Sequence, residues 1–135
     1  GSYSGRDSDC GDLYIKVTIK EHEIFKRDGL NIYVEVPIKF TEAILGAKKE
    51  IPTLYGKMNV DIKEGTQYGD RKVLLGKGLK FKGQVGNQIL IYKIEMPINL
   101  TDSQKEMLKK FDSSLNVDNY KNTETFWQKI KNFFK

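Results

Sequence analysis

Acid–base catalysis needs two carboxylates held in one cleft. The nearest candidates here are Asp61 with Glu64 and Asp28 with Glu35. Each pair sits beside turn-forming residues and reads as solvated hairpin side chains. His22 is the sole histidine, in a polar connection before Ile24-Phe25, and it reads as structural without a Ser, Cys or Asp constellation. Cys10 is the sole cysteine. It permits no internal disulfide and no cysteine-based zinc site, and it agrees with a reducing compartment such as the cytoplasm or an organelle matrix. Gly76-Lys77-Gly78 has the look of a phosphate loop, but no helix pattern follows it, so it reads as a tight turn. No nucleophile elbow, H-E-x-x-H pair or Walker loop occurs. The chain therefore reads as a binding protein and not an enzyme.

Two non-covalent chemistries remain. Lys77, Lys80 and Lys82 with Phe81 form a basic–aromatic cluster, the pattern of a nucleic-acid contact, set against a plain solvated loop. Phe126, Trp127, Ile130, Phe133 and Phe134 recur at i, i+1, i+4, i+7 and i+8, one apolar stripe on a helix.

The elements that must position these groups are mostly strands. Ile32, Val34, Val36, Ile38 and Phe40 alternate with Tyr33, Glu35, Pro37 and Lys39, which predicts a strand with one buried face. Pro37 lacks a ladder donor and points to an edge or bulge. Thr41 is placed to cap one helical turn over Glu42–Leu45, which Gly46 ends. Lys48–Leu54 and Met58–Ile62 predict a hairpin through Tyr55-Gly56. A loop follows over 63–70, then a short strand over 71–75, a glycine-bearing loop over 81–88 and a last strand over 89–96. Leu13–Lys20 alternates as another strand after a Ser-, Gly- and Asp-rich start. Thr101-Asp102-Ser103-Gln104 is a capping box opening a helix that runs to about residue 112. Residues 113–122 read as a linker, and Thr123 as the cap of a final helix over 123–135. The predicted inward set is Val34, Val36, Ile38, Leu45, Ile51, Val60, Ile62, Leu74, Ile89, Ile91 and Ile94. The fold class is mainly β: an open, two-sheet, sandwich-like domain with one short helical turn, followed by C-terminal helices.

At 135 residues, 39% hydrophobic and 30% charged with net charge +5, the chain suits one water-soluble domain. No apolar run is long enough to span a membrane, and no membrane partner is expected. Lysines interleaved with acids favour a solvated surface, so no nucleic-acid partner is expected either.

Spaced motifs carry a family resemblance. Phe25-Lys26-Arg27-Asp28-Gly29, Glu35-Val36-Pro37-Ile38-Lys39-Phe40-Thr41-Glu42-Ala43, Leu45-Gly46 and Ile51-Pro52-Thr53-Leu54 occur in order, flanked by Gly11-Asp12-Leu13-Tyr14 and Gly76-Lys77-Gly78. From about Gly11 to Phe111 the chain resembles the second C-terminal β-domain of DnaJ-type (forty-kilodalton heat-shock) co-chaperones. Departures are Tyr55-Gly56 where the family favours Asp-Gly, and Gly86-Asn87-Gln88 where it has Gly-Asp-Leu. The resemblance implies a fragment of a longer protein, with residues 1–20 holding a mobile start and the last strand of an upstream β-domain. Residues 21–100 would then be the second domain. It implies binding of unfolded polypeptides, delivered to a DnaK-type ATP-driven chaperone through an upstream J-domain. No cofactor is implied here; any zinc region would lie upstream. Ile32, Val34, Ile38 and Ile51 are the expected client surface, although the same residues suit a core. The similarity also implies a homodimer made by the stripe on residues 123–135. Alternatives are a structural dimerisation module with its client site elsewhere, packing of the stripe on its own domain, and a basic nucleic-acid-binding β domain.

Overall fold

A computed structural model describes residues 24–135, the side chain of Glu124 excepted. The expected strand Leu13–Lys20, His22 and Cys10 lie outside the described residues. The chain divides into two compact units, one ending at Met96 and one covering Pro97–Lys135.

In the first unit, β1 (Phe25–Asp28) and β2 (Asn31–Lys39) form an antiparallel hairpin. α1 (Phe40–Leu45) follows, then β3 (Ala47–Thr53), β4 (Gly56–Ile62), β5 (Arg71–Leu74), β6 (Lys80–Phe81), β7 (Gln84–Val85) and β8 (Gln88–Glu95). One sheet has the order β1-β2-β8-β5. The others are the two-stranded pairs β3-β4 and β6-β7. β2 runs parallel to β8, with Val34 opposite Leu90 and Val36 opposite Tyr92. A parallel pair needs a long crossover, and here everything from α1 to β7 supplies it.

The core lies between the four-stranded sheet and the β3–β4 hairpin. It joins Ile32, Val34, Val36, Ile38, Leu90 and Tyr92 to Ile51, Val60 and Ile62, with Ala43, Leu74 and Leu79 closing it. Burying each Ile or Val contributes about 1.5–3 kcal/mol. Pro37 takes its place on the opposite face of β2 and is exposed.

α1 starts two residues earlier than its sequence suggested. Lys39, not Thr41, is its N-cap, and the Glu42 carboxylate accepts from the Lys39 backbone N–H at 2.8 Å. Gly46 ends it at φ 83°, donating to Glu42 O at 2.8 Å. Leu45, expected inside, is 72% exposed, because Ala43 is the residue that the short helix turns toward the core. The phase of β8 also differs. Gln88, Leu90 and Tyr92 share the buried set, while Ile91 is only half-buried. β8 is flanked by β2 and β5, and a central strand carries apolar groups on both faces, so alternation alone does not reveal its phase. The region 81–88, expected as loop, holds the β6–β7 hairpin, turned by Lys82 and Gly83 at φ 47° and 79°.

In the second unit, α2 (Asp102–Ser114) opens on the anticipated capping box. Thr101 N–H donates to Gln104 Oε1 at 2.8 Å, and Gln104 N–H to Thr101 Oγ1 at 3.1 Å. α2 runs into the start of the expected linker, and a 3-10 turn over Val117–Asn119 occupies its middle. α3 covers Thr123–Phe133; Asn122 is its N-cap, so Thr123 is inside the helix.

Candidate peptide-contact surfaces

The four residues expected to contact clients are not on a surface. Ile32, Val34, Ile38 and Ile51 are 0%, 3%, 1% and 3% exposed. β2 points them at the hairpin sheet, where they form the core. The correction has a simple cause. An alternating strand marks a buried face, but whether a partner sheet or a ligand covers that face is decided by the rest of the chain.

Backbone edges offer a different contact surface. Among the described residues β3 and β4 pair only with each other, and β5 pairs only with β8. Each therefore keeps one edge without a strand neighbour among the described residues. The hairpin is anchored at its tip, where the Gln88 amide, fully buried, donates to Pro52 O at 3.0 Å. Glu42 ties the base of β3 to α1 through an ion pair with Lys49 at 2.8 Å. That ammonium, with the Lys39 N–H, holds the Glu42 carboxyl below the usual range. A polar cleft of about 420 Å³ lies beside β5, lined by Asp61, Glu64, Asp70, Arg71, Lys72 and Tyr92 among others. Burial raises the pKa of Tyr92, whose hydroxyl has no hydrogen-bond partner among the described residues. Both acids and cations line the cleft. Among the described residues no three His, Cys, Asp or Glu side chains converge as a metal set.

Asn87 shows what replaces the family's aspartate. Its Oδ1 accepts from Gly76 N–H at 3.0 Å, and its own N–H donates to Asn31 Oδ1 at 2.9 Å. The neutral amide thus makes the bond that a carboxylate would make.

In the second unit α3 carries the aromatic stripe in the open. Phe126, Trp127, Phe133 and Phe134 are 54%, 59%, 77% and 77% exposed, and Ile130 is half-buried. The rings meet edge to face, Phe126 with Trp127 at 5.1 Å and Phe133 with Phe134 at 5.0 Å. The same unit has a shallow groove of about 500 Å³, whose walls include Leu108, Phe111, Leu115 and Tyr120 beside Lys105 and Lys109. Among the described residues no helix is long and apolar enough to cross a membrane.

Sequence reasoning located the stripe and an open sheet, but not which strands keep a free edge, nor the groove. Pairing partners are set by topology, and no periodicity encodes them.

Residues 1–97 match the family described as the DnaJ C terminal domain. Over 137 residues, covering 100% of this chain, the sequence is 46% identical to the "Chaperone protein DnaJ" of Fusobacterium nucleatum subsp. nucleatum, of which 35% is covered. The protein so described from Caldicellulosiruptor bescii is 42% identical over 127 residues, 92% of this chain and 32% of that protein. The chain thus spans about a third of the length of these relatives. The matched span takes in all eight strands, and with it the chain belongs to the DnaJ C terminal domain family.

Proposed function

We propose that this chain is the client-holding and self-associating part of a DnaJ-type co-chaperone, which passes unfolded polypeptide to a DnaK-type partner through a J-domain elsewhere in the whole protein. It works without nucleotide, metal or catalysis of its own. The observation that carries the reading is the set of edges on β3, β4 and β5 that no described strand covers, in a chain whose relatives are described as chaperones. An extended client adds a strand there through main-chain hydrogen bonds, which require no sequence code. Since Ile32, Val34, Ile38 and Ile51 are core, side-chain contact comes from exposed apolar groups instead. Met58 on β4 and Val73 on β5 are 37% and 50% exposed.

Self-association follows from α3. An isolated helix of its length is marginal in water, and an exposed aromatic face is a liability unless it is covered. A second copy covers it, with Trp127 as the expected anchor, because large aromatics dominate interface energetics. Avidity from two linked client sites then compensates for weak single contacts.

The test is binding to a fluorescent, reduced and alkylated protein that stays unfolded. The chain binds it, and an extended apolar peptide competes. The same peptide N-methylated at alternate residues, which lacks half of its main-chain donors, competes poorly. Equal competition by both peptides rules out strand addition.

A further inference from the structure

The positive charge of this chain is not evenly spread. Residues 71–94 contain Arg71, Lys72, Lys77, Lys80, Lys82 and Lys93 and no Asp or Glu. Lys93 is engaged by Glu35 at 3.8 Å, and the Arg71 guanidinium lies over the Tyr33 ring at 5.9 Å. Lys77, Lys80 and Lys82 have no carboxylate within ion-pair distance among the described residues. The fold then brings the hairpin tip against the segment that carries these three. The Tyr55 hydroxyl, at the tip of the β3–β4 hairpin, donates to Gly78 O. That bond clamps the tip against the segment carrying Lys77. Lys80 Nζ sits 5.0 Å from the centre of the Tyr55 ring, and Lys82 Nζ sits 5.2 Å from that of Phe81. Val85 faces Lys80 across the β6–β7 pair and is 48% exposed. Glu50, on β3 of the same hairpin, is held by Lys57 at 3.5 Å.

We propose that this hairpin-tip patch of Tyr55, Lys77, Lys80, Phe81, Lys82 and Val85 is a docking site for an acidic polypeptide segment carrying apolar side chains among its carboxylates. Lysines held over aromatic rings lose less rotamer freedom on binding than free ones. They present ammonium groups in fixed places to incoming carboxylates. Val85 and the uncovered parts of the rings meet the apolar side chains. Single-stranded nucleic acid fits less well. It binds by stacking bases on aromatic faces, and one face of each ring is already taken by an ammonium of the chain itself. The site is separate from the strand edges, so it does not depend on the client-holding reading.

The experiment is a fluorescence-anisotropy titration of the 135-residue chain with a labelled peptide of alternating glutamate and valine. The glutamine–valine version serves as its uncharged control. Lys80→Gln combined with Lys82→Gln removes two charges from exposed side chains without touching the core. Lys105→Gln combined with Lys110→Gln removes the same charge from the second unit. The acidic peptide is expected to bind the parent and the Lys105/Lys110 variant alike, and to bind the Lys80/Lys82 variant on the order of tenfold more weakly. The glutamine peptide is expected not to bind. Equal losses in both variants would reduce the effect to net charge and overturn the site. So would the absence of acidic-peptide binding. A single-stranded oligonucleotide that displaces the peptide at lower concentration would assign the patch to nucleic acid instead.

Discussion

Replacing Gly86 by alanine tests the structural basis of the hairpin-tip patch. Three chain segments cross at this point with backbone on backbone. Leu79 N–H donates to Leu30 O at 2.8 Å, Gly86 N–H to Leu79 O at 2.8 Å, and Gly78 N–H to Gly86 O at 2.9 Å. A Cβ on Gly86 would lie 2.1 Å from Leu30 O and 2.4 Å from Leu30 C. Backbone atoms cannot rotate aside as a side chain can, so the crossing must open. At least the Leu79–Leu30 and Gly86–Leu79 bonds are then strained or lost, and Leu79 and Gly86 are buried while Leu30 is half-buried. Each such group costs about 1–3 kcal/mol, which puts Gly86→Ala on the order of 3–5 kcal/mol. Gly83 is the internal control. It has φ 79° and nothing within 4 Å of a Cβ, so Gly83→Ala bears only the left-handed cost of roughly 1–2 kcal/mol. For a domain of this size 1 kcal/mol is roughly 4–8 °C in Tm. Thermal and urea unfolding followed by circular dichroism should place Gly86→Ala about 10–20 °C, and no less than about 4 °C, below Gly83→Ala. Acidic-peptide binding should fall with it, because the crossing sets where β6–β7 stands relative to Tyr55. If the two variants unfold together, the backbone crossing is not what holds this end of the domain.

Deleting residues 123–135 should convert a dimer to a monomer in sedimentation velocity while the β-unit melts as before. Burial of the five apolar side chains contributes roughly 8–15 kcal/mol before entropic costs, and a truncated chain that stays dimeric would direct attention to a strand edge. Ile32→Ser should lower stability by about 3–5 kcal/mol in urea titrations; weakened client binding with unchanged stability would return this residue to the surface. Glu42→Gln should destabilise the chain at neutral pH only. The Glu42 carboxyl is lowered by the Lys49 ammonium and the Lys39 N–H. Its contribution is complete above the unfolded carboxylate pKa of about 4.3 and is lost as pH falls through the lower folded value. Parent and variant should therefore converge in acid, and a gap that persists there would remove the ion pair as its cause.

The sequence by itself determined what each element is. Period two in Ile32–Ile38 made β2 a strand with one buried face, the Thr101–Gln104 spacing opened α2, and the stripe from Phe126 to Phe134 made α3 amphipathic. Local rules suffice there because propensity, capping and alternation act over a few residues. The family motifs carried the fold class further than periodicity could, since strand order is not local. Only the tertiary structure decided which strand lies beside which, and hence what covers the β2 face. It paired β2 with β8 in parallel, which made β8 a central strand and put Gln88 and Tyr92 inside, where polar groups are not sought from sequence. It laid the β3–β4 hairpin over Ile32, Val34 and Ile38, turning an expected binding surface into core. It also brought Tyr55 to Gly78 and Lys80, joining residues more than twenty positions apart into one patch. A strand's alternation shows that a face is apolar, but not whether sheet, peptide or a second chain will bury it, because that depends on contacts between residues far apart in the chain.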